Sequence, residues 1–361
     1  MLRNLHLLRA TAALAVVYYH TTSEAGLNLS LNIGSHGVDV FFVISGFIIA
    51  YIGTRSPHGF LTRRLIRIVP FYWSATLAVF AAAVLAPHVL RSTSADSVQL
   101  LCSLLFVPRE AHGAQVPTLI LGWSLNYEMY FYVTFAAALA IAPRRAPLLC
   151  SLGIVTTAVL IRLSGLGYPA VRFYARPLVF EFVYGVCAYS LFVAAERHIG
   201  WYAERPRVRW GLWFAALAAA VSIGIEEAYG GFGLPRFVVA GLPAFVLVLA
   251  ALLLERLYDV RARSNTVFIV GESSYILYLI HPYVIYGVLR TTISRGAVLP
   301  LPVTIGLVIA LLLASVAAAI AIHEWFEKPL LAALRRMLLA PAARLLKPPP
   351  EFQHSTFSIE H

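Results

Sequence analysis

Long apolar stretches recur along nearly the whole chain and are separated by short polar turns. Ten of them are close to twenty residues long, the length that an α-helix needs to cross a hydrocarbon layer of about 30 Å. We therefore predict an all-α integral membrane protein, with about ten transmembrane helices around a polar cavity. The predicted spans are residues 5–22, 36–53, 68–86, 120–142, 147–164, 174–194, 210–226, 236–256, 266–288 and 301–322.

The basic residues predict the orientation of these spans. With the N-terminus in the cytoplasm, 20 of the 28 Lys and Arg residues fall in cytoplasmic segments, as the positive-inside rule requires. Both termini are therefore expected in the cytoplasm. Residues 87–119 contain only a short apolar run, at 98–107, so we expect an interfacial or re-entrant piece on the outer side.

The chain after the last span has a different character. Residues 330–346 form a basic amphipathic stretch, and three prolines and a polar end follow it. We expect this stretch to lie on the inner membrane surface and then to become disordered. The predicted organisation is a transmembrane domain at 1–329 and a cytoplasmic tail at 330–361. The end of the last span, 323–329, is expected to be an interfacial cap with a snorkelling Lys.

Composition supports this picture and narrows the chemistry. The chain is 60% hydrophobic and 12% charged, about half the charged fraction of a soluble protein. The net charge of +11 follows from the cytoplasmic loops and indicates no nucleic-acid partner. The three cysteines lack a CxxC spacing, and no phosphate loop, HExxH or Gly-x-Ser-x-Gly motif is present. Metal-dependent, nucleotide-hydrolysing and serine-nucleophile mechanisms therefore lack support.

The first span contains two ionisable residues, Arg9 and His20. Eleven residues make about three helical turns, so the two lie on nearly one face, roughly 16 Å apart along the axis. Ionisable groups at this depth are costly unless they face a polar interior, and they mark functional pathways. Arg9 near the cytoplasm and His20 near the outer side suit an enzyme that works across the bilayer.

Two carboxylates are predicted at the depth of His20. Asp39 lies near the outer end of the second span, and Glu128 lies in the outer third of the fourth. A carboxylate that holds one imidazole nitrogen fixes the tautomer and raises the basicity of the other nitrogen, as acid–base catalysis requires. The alternative is that these polar groups pair only to hold the helices together.

A basic block in the loop after the second span contains Arg63, Arg64 and Arg67. Arg64 and Arg67 are three residues apart and share a helix face, and their guanidinium groups suit phosphate binding. The block is thus a candidate seat for an anionic cofactor. The alternative is an ordinary positive-inside anchor.

The ninth span carries a polar stripe of Ser274, Tyr278 and His281, at i, i+4 and i+7. Such a stripe, together with Ser45 of the second span, suits a polar substrate tunnel. Pro282 offers another reason for it, because a proline kink in a membrane helix needs polar neighbours.

Six blocks in order make the chain resemble the membrane-bound acyltransferase-3 family, from about residue 5 to residue 329. They are Arg-x10-His at 9–20, GVDVFFVISGF at 37–47, RRLIRIVP at 63–70, WSLNYEMYFY at 123–132, GESSYILYLIHP at 271–282 and EKP at 327–329. The resemblance implies transfer of an acetyl group from cytoplasmic acetyl-CoA to a hydroxyl at the outer side. It is greatest to the exopolysaccharide O-acetyltransferases, which implies a carbohydrate acceptor and a location in the bacterial inner membrane.

On this reading Arg64 and Arg67, with help from Arg63 and Arg9, hold the coenzyme A phosphates. His20 acts as general base on a sugar hydroxyl, and Glu128 or Asp39 orients the imidazole. No metal is required, and membrane lipid surrounds the protein. Three alternatives stay open: acylation of a small glycosylated metabolite, a proton-coupled transporter that uses the same buried charges, and a non-catalytic scaffold.

Overall fold

The apolar stretches of the sequence form helices. The computed structural model describes residues 2–24, 33–86, 95–110, 116–230, 233–292 and 299–345, and the prediction of an all-α protein is confirmed for them. The helices are α1 (Arg3–Tyr19), α2 (Gly37–Arg55), α3 (Phe60–Leu85), α4 (Ser97–Leu104), α5 (Trp123–Ile141), α6 (Ala146–Leu163), α7 (Pro169–Phe173), α8 (Val179–Glu196), α9 (Ile199–Ala203), α10 (Pro206–Tyr229), α11 (Leu242–Tyr258), α12 (Asn265–Thr292), α13 (Leu301–Ile322) and α14 (Lys328–Leu345).

Several of these helices can cross a membrane. Among the described residues, eight helical segments are long and apolar enough, and they contain α2, α3, α6, α8, α10, α11, α12 and α13. The predicted spans 5–22 and 120–142 correspond to α1 and α5, which lie outside this set. The chain is therefore a multi-pass membrane protein, while the count of ten and the cytoplasmic termini stay predictions.

The centre of the bundle is built from α1, α2 and α12. In the most apolar 18-residue stretches of α2 and α12 about two thirds of the residues are buried. α1 packs on α12, and α2 packs on α8. Glycines let α2 and α8 touch: a Cβ on Gly46 would lie 2.2 Å from the carbonyl oxygen of Phe182, and one on Gly185 would lie 2.1 Å from that of Val43. Small residues at such crossings are typical of membrane helices.

The outer helices expose their apolar side chains. In the most apolar 18-residue stretch of α10 only 6% of the residues are buried, and in the stretches that contain α6 and α13 only 22% are. Large residues such as Leu163 and Phe214 are 79% and 74% exposed. Such surfaces require a lipid environment, which fits the predicted membrane location.

The arginine block lies on a helix rather than in a loop. α3 begins at Phe60, eight residues before the predicted span 68–86, after Gly59 in the left-handed conformation (φ 63°). Pro70 is accommodated inside this helix. Arg63, Arg64 and Arg67 therefore occupy the first two turns of α3, which fixes their relative positions.

The weakly apolar segment between the third and fourth predicted spans contains the short helix α4, with eight residues. Asp96 caps it by accepting hydrogen bonds from the backbone N–H groups of Val98 (2.8 Å) and Gln99 (3.1 Å). Trp73 of α3 donates to the carbonyl of Leu104 at 2.9 Å. A helix of this length does not span a membrane. Parts of this segment, 87–94 and 111–115, lie outside the described residues.

The chain stays helical from the last predicted span into the predicted tail. A π-helical turn at His323–Glu327 joins α13 to α14, so residue 329 falls within continuous helix. The rest of the tail, 346–361, lies outside the described residues.

Carboxylates fix both ends of the central helices. Glu255 accepts hydrogen bonds from the N–H groups of Arg3 and Asn4, both at 2.7 Å, at the start of α1. At the other end of the bundle Glu227 accepts from Gly34 (2.8 Å) and His36 (2.7 Å), before α2. Negative charge is favourable at a helix N-terminus. We call the end of the bundle at Arg3 and Asn4 the N-terminal face, and the end at Gly34 and His36 the opposite face.

Candidate active site

The polar stripe of α12 runs beside the ionisable residues of α1. Arg9 donates from Nε to the hydroxyl of Ser274 at 3.1 Å. Further along both helices the rings of His20 and His281 lie 5.0 Å apart, and those of Tyr278 and His281 lie 6.4 Å apart. Sequence periodicity placed Arg9 and His20 on one helix face and the stripe of Ser274, Tyr278 and His281 on another. The structure brings these two faces together.

His20 stands where α1 changes its geometry. It begins a π-helical turn, His20–Glu24, and such turns often occur at functional sites because the extra residue changes the direction of a side chain. His281 lies on α12 and is fully buried. Its Nδ1 is 3.0 Å from the carbonyl oxygen of Leu277, and its Nε2 has no hydrogen-bond partner among the described residues.

A cavity of about 450 Å³ opens beside His20 on the opposite face. Tyr278 lines it from α12, and Trp123 and Tyr127 line it from α5. Two guanidinium groups, those of Arg176 and Arg236, complete the described rim together with apolar side chains. This lining of imidazole, aromatic rings and cations suits a polar ligand that reaches His20 from outside the bundle.

Glu128 lies with the arginines. Its carboxylate accepts a hydrogen bond from the hydroxyl of Tyr132 at 2.6 Å and a longer one from Ser45 at 3.5 Å. The guanidinium groups of Arg64 and Arg9 act on it electrostatically. The described surroundings of Glu128 are therefore hydroxyls, that of Ser45 among them, and cations. Its expected role beside the His20 imidazole stays a prediction.

The end of the last predicted span contributes to the arginine cluster. Glu327 pairs with Arg67 of α3 and accepts a hydrogen bond from Nδ1 of His323. His323 and Glu327 are only 4% and 1% exposed, so they are not part of an interfacial cap. Trp325, 82% exposed, and the exposed Lys328 do point outward as expected. The π-helical turn presents the two sets of residues to opposite sides.

The basic residues of the cluster have different surroundings. Arg9 lies within the bundle yet keeps part of its surface accessible. The Nε of Arg64 is buried and has no hydrogen-bond partner among residues that the structure describes. Arg63 instead donates to the carbonyls of Ser56 and His58, in the turn before α3. Arg63 therefore stabilises this turn and is not brought to the cluster.

Asp39 is fully buried and is bonded to cations, one of which, Arg236, lines the His20 cavity. Arg236 donates to its two oxygens at 2.9 and 2.6 Å, and Nδ1 of His36 lies 3.2 Å away. His36 also contacts Glu226. Burial alone would lower the pKa of Arg236, but its bond to Asp39 outweighs burial and raises the pKa. The fully buried Glu181 lies beside this group.

Comparison with known proteins decides the family. The acyltransferase-3 model, described as an acyltransferase domain, matches residues 2–323. The chain belongs to the acyltransferase-3 family. Exopolysaccharide production protein ExoZ of Rhizobium meliloti (strain 1021) is 34% identical over 322 residues, which cover 87% of this chain and 94% of ExoZ. No solved structure matches the chain with significance.

The acyltransferase-3 domain contains site residues that sequence reasoning missed. Arg236, Glu226 and Glu227 stand at the ends of predicted spans, where charged residues are ordinary. An acidic pair at the end of one span, followed by an arginine at the start of the next, was the available signal. No group of three or more His, Cys, Asp and Glu side chains in the described ranges could hold a metal ion.

Proposed function

We propose that this protein transfers an acetyl group from cytoplasmic acetyl-CoA to a hydroxyl of an exopolysaccharide or another surface glycan, across the bacterial inner membrane. One observation carries the proposal: the stripe from Ser274 to His281 connects Arg9 with the His20 cavity. The family supplies the acyl transfer. The name of the relative ExoZ supports exopolysaccharide as the acceptor.

The arginine cluster fits the phosphates of coenzyme A. Arg9, Arg64 and Arg67 offer guanidinium groups, which bind phosphate through paired N–H donors. The buried and unpartnered Nε of Arg64 is a donor still available to a ligand. Acetyl-CoA supplies the thioester whose acetyl group is transferred.

The spacing of the two ends fits the donor. Arg9 of α1 and His20, which directly follows α1, are eleven residues apart. This corresponds to roughly 16 Å of helix rise, similar to an extended pantetheine arm. The hydroxyls of Ser274 and Tyr278 lie along this path and can pair with the amide groups of the arm. A thioester would then reach His20 from the N-terminal face.

In the proposed step His20 takes the proton of the acceptor hydroxyl as its oxygen attacks the thioester carbonyl. A carbon–oxygen bond forms, the carbon–sulfur bond breaks, and the coenzyme A thiolate receives a proton from the imidazolium. Glu128 balances the charge of the arginine cluster, while Asp39 holds Arg236 at the cavity rim.

The experiment compares His20→Ala with His198→Ala, which changes an exposed histidine of α9's N-terminal flank. Full-length variants in nanodiscs receive acetyl-labelled acetyl-CoA and the surface glycan of the source bacterium, and labelled ester is counted. General-base assistance is worth about 10²–10⁴ in rate, so the rate of acetyl transfer by His20→Ala should fall at least a hundredfold. His198→Ala should transfer acetyl at the rate of the wild type. Equal activity in the two variants would contradict the role of His20.

A further inference from the structure

A second cleft adjoins the His20 cavity on the opposite face. Its volume is about 940 Å³, and it is formed by the end of α6, the turn that follows, and α7. Arg176 and Pro177 line both spaces, so the cleft and the cavity are direct neighbours. Together they exceed the roughly 300–1,000 Å³ of a pocket for one small molecule. The space suits a ligand longer than a single sugar.

The cleft is lined by an excess of positive charge. Three exposed arginines, Arg162, Arg172 and Arg176, face it, and among the described residues of its lining Glu110 supplies one carboxylate. Arg162 donates to the carbonyl of Ala175 at 3.2 Å, which holds its guanidinium group near the end of α7. On the other rim of the cavity Arg236 pairs with the buried Asp39.

We propose that the cleft and the cavity form one groove for an anionic oligosaccharide. Carboxylate-bearing sugars lie along Arg162, Arg172 and Arg176, and the hydroxyl to be acylated lies at His20. Guanidinium groups pair with carboxylates through two parallel hydrogen bonds, and Trp123 in the cavity offers an aromatic face to a sugar ring. The proposal rests on the proposed function and adds the chemical class of the acceptor.

Lipid headgroups also attract arginines, but the arrangement favours a glycan. Arg176 lines the cleft and the His20 cavity alike, so a ligand bound along the arginines is led to the reacting group. The cleft also contains the apolar Ile161 and Leu166, so the observation that favours the glycan is the shared Arg176.

The test measures binding of tetragalacturonate, an acidic probe, and of its carboxyl-reduced neutral form. Both are titrated against the full chain in zwitterionic nanodiscs. The variant is Arg162→Gln with Arg172→Gln, two exposed residues whose replacement leaves the core intact. The control is Arg109→Gln, an arginine of the same face that pairs with Asp96 and does not line the groove.

We expect the acidic probe to bind at least tenfold more tightly than the neutral one. In the double variant the affinity for the acidic probe should fall at least about tenfold and depend less steeply on salt, while the affinity for the neutral probe stays the same. The control should bind both probes like the wild type. Equal binding of the two probes, or equal behaviour of variant and control, would overturn the proposal. A double variant that loses binding to phosphatidylglycerol vesicles but not to the probe would assign the cleft to lipid instead.

Acetyl transfer by the same preparations separates the two proposals. If the probe binds as expected but His20→Ala transfers acetyl as well as the wild type, the groove stands and the proposed catalytic role fails. If transfer depends on His20 while a neutral acceptor is used as well as an acidic one, the catalytic role stands and the anionic groove fails.

Discussion

Replacing Glu327 by Gln tests whether the charge pair inside the bundle holds α3 to the junction of α13 and α14. Glu327 is 1% exposed and bonds to Arg67 and His323. Gln keeps the shape but removes the charge, which leaves a guanidinium without compensation. Losing one partner of a buried pair costs about 3–5 kcal/mol. Because the side chain of Arg67 is 23% exposed, water compensates part of its charge. We therefore expect the free energy of unfolding to fall by about 3 kcal/mol, at the lower end of this range.

Glu324→Gln is the matched control. It changes the same residue type three positions earlier in the same π-helical turn, where the side chain is 41% exposed and bonds to Lys328 at 2.5 Å. Exposed pairs contribute little, so this variant should unfold close to the wild type. Thermal unfolding of the full chain in detergent is followed by tryptophan fluorescence. Equal unfolding temperatures for Glu327→Gln and Glu324→Gln would refute the reasoning.

Two further predictions concern the donor site and pH. Arg64→Gln should raise the acetyl-CoA concentration for half-maximal transfer about tenfold, because a charge-assisted hydrogen bond to the donor is lost. Arg197→Gln changes an exposed arginine and should leave this concentration unchanged. A similar rise in both variants would contradict the assignment of Arg64 to the donor site. Burial alone would lower the pKa of His36, but its bonds to Asp39 and Glu226 raise the pKa. Its contribution to stability is therefore complete below its ordinary pKa of about 6.5 and lost as pH rises through the raised folded value. The unfolding temperature should fall over that range in the wild type and stay flatter in His36→Gln, and parallel curves would contradict this.

The sequence allowed prediction of what depends on helix periodicity. A membrane-spanning backbone must satisfy its own hydrogen bonds, so apolar runs become helices. Along them, the spacing of Arg9 and His20 on α1, and of Ser274, Tyr278 and His281 on α12, fixes which side chains share a face. Both helices pack together, and the two polar faces meet.

Partner choice could not be predicted in the same way. Asp39 and Arg236 are 197 residues apart, and Arg67 and Glu327 are 260 apart. Which charges meet depends on how distant helices approach, and no local pattern encodes that approach. The π-helical turns at His20 and His323 add a second difficulty, because one inserted residue turns later side chains by about 100° relative to an α-helical count.

The surroundings of His20 bear on how its positive charge is stabilised during the reaction. Nδ1 of His281 must carry a proton, because its partner is the carbonyl of Leu277. Nε2 is therefore the acceptor nitrogen of this ring, which lies 5.0 Å from the ring of His20. A neutral ring can fix the tautomer of His20, but it cannot compensate an imidazolium as a carboxylate would. Asp39 already compensates the positive charge of Arg236, and the ring that the structure places against His20 on α12 is the imidazole of His281, at 5.0 Å.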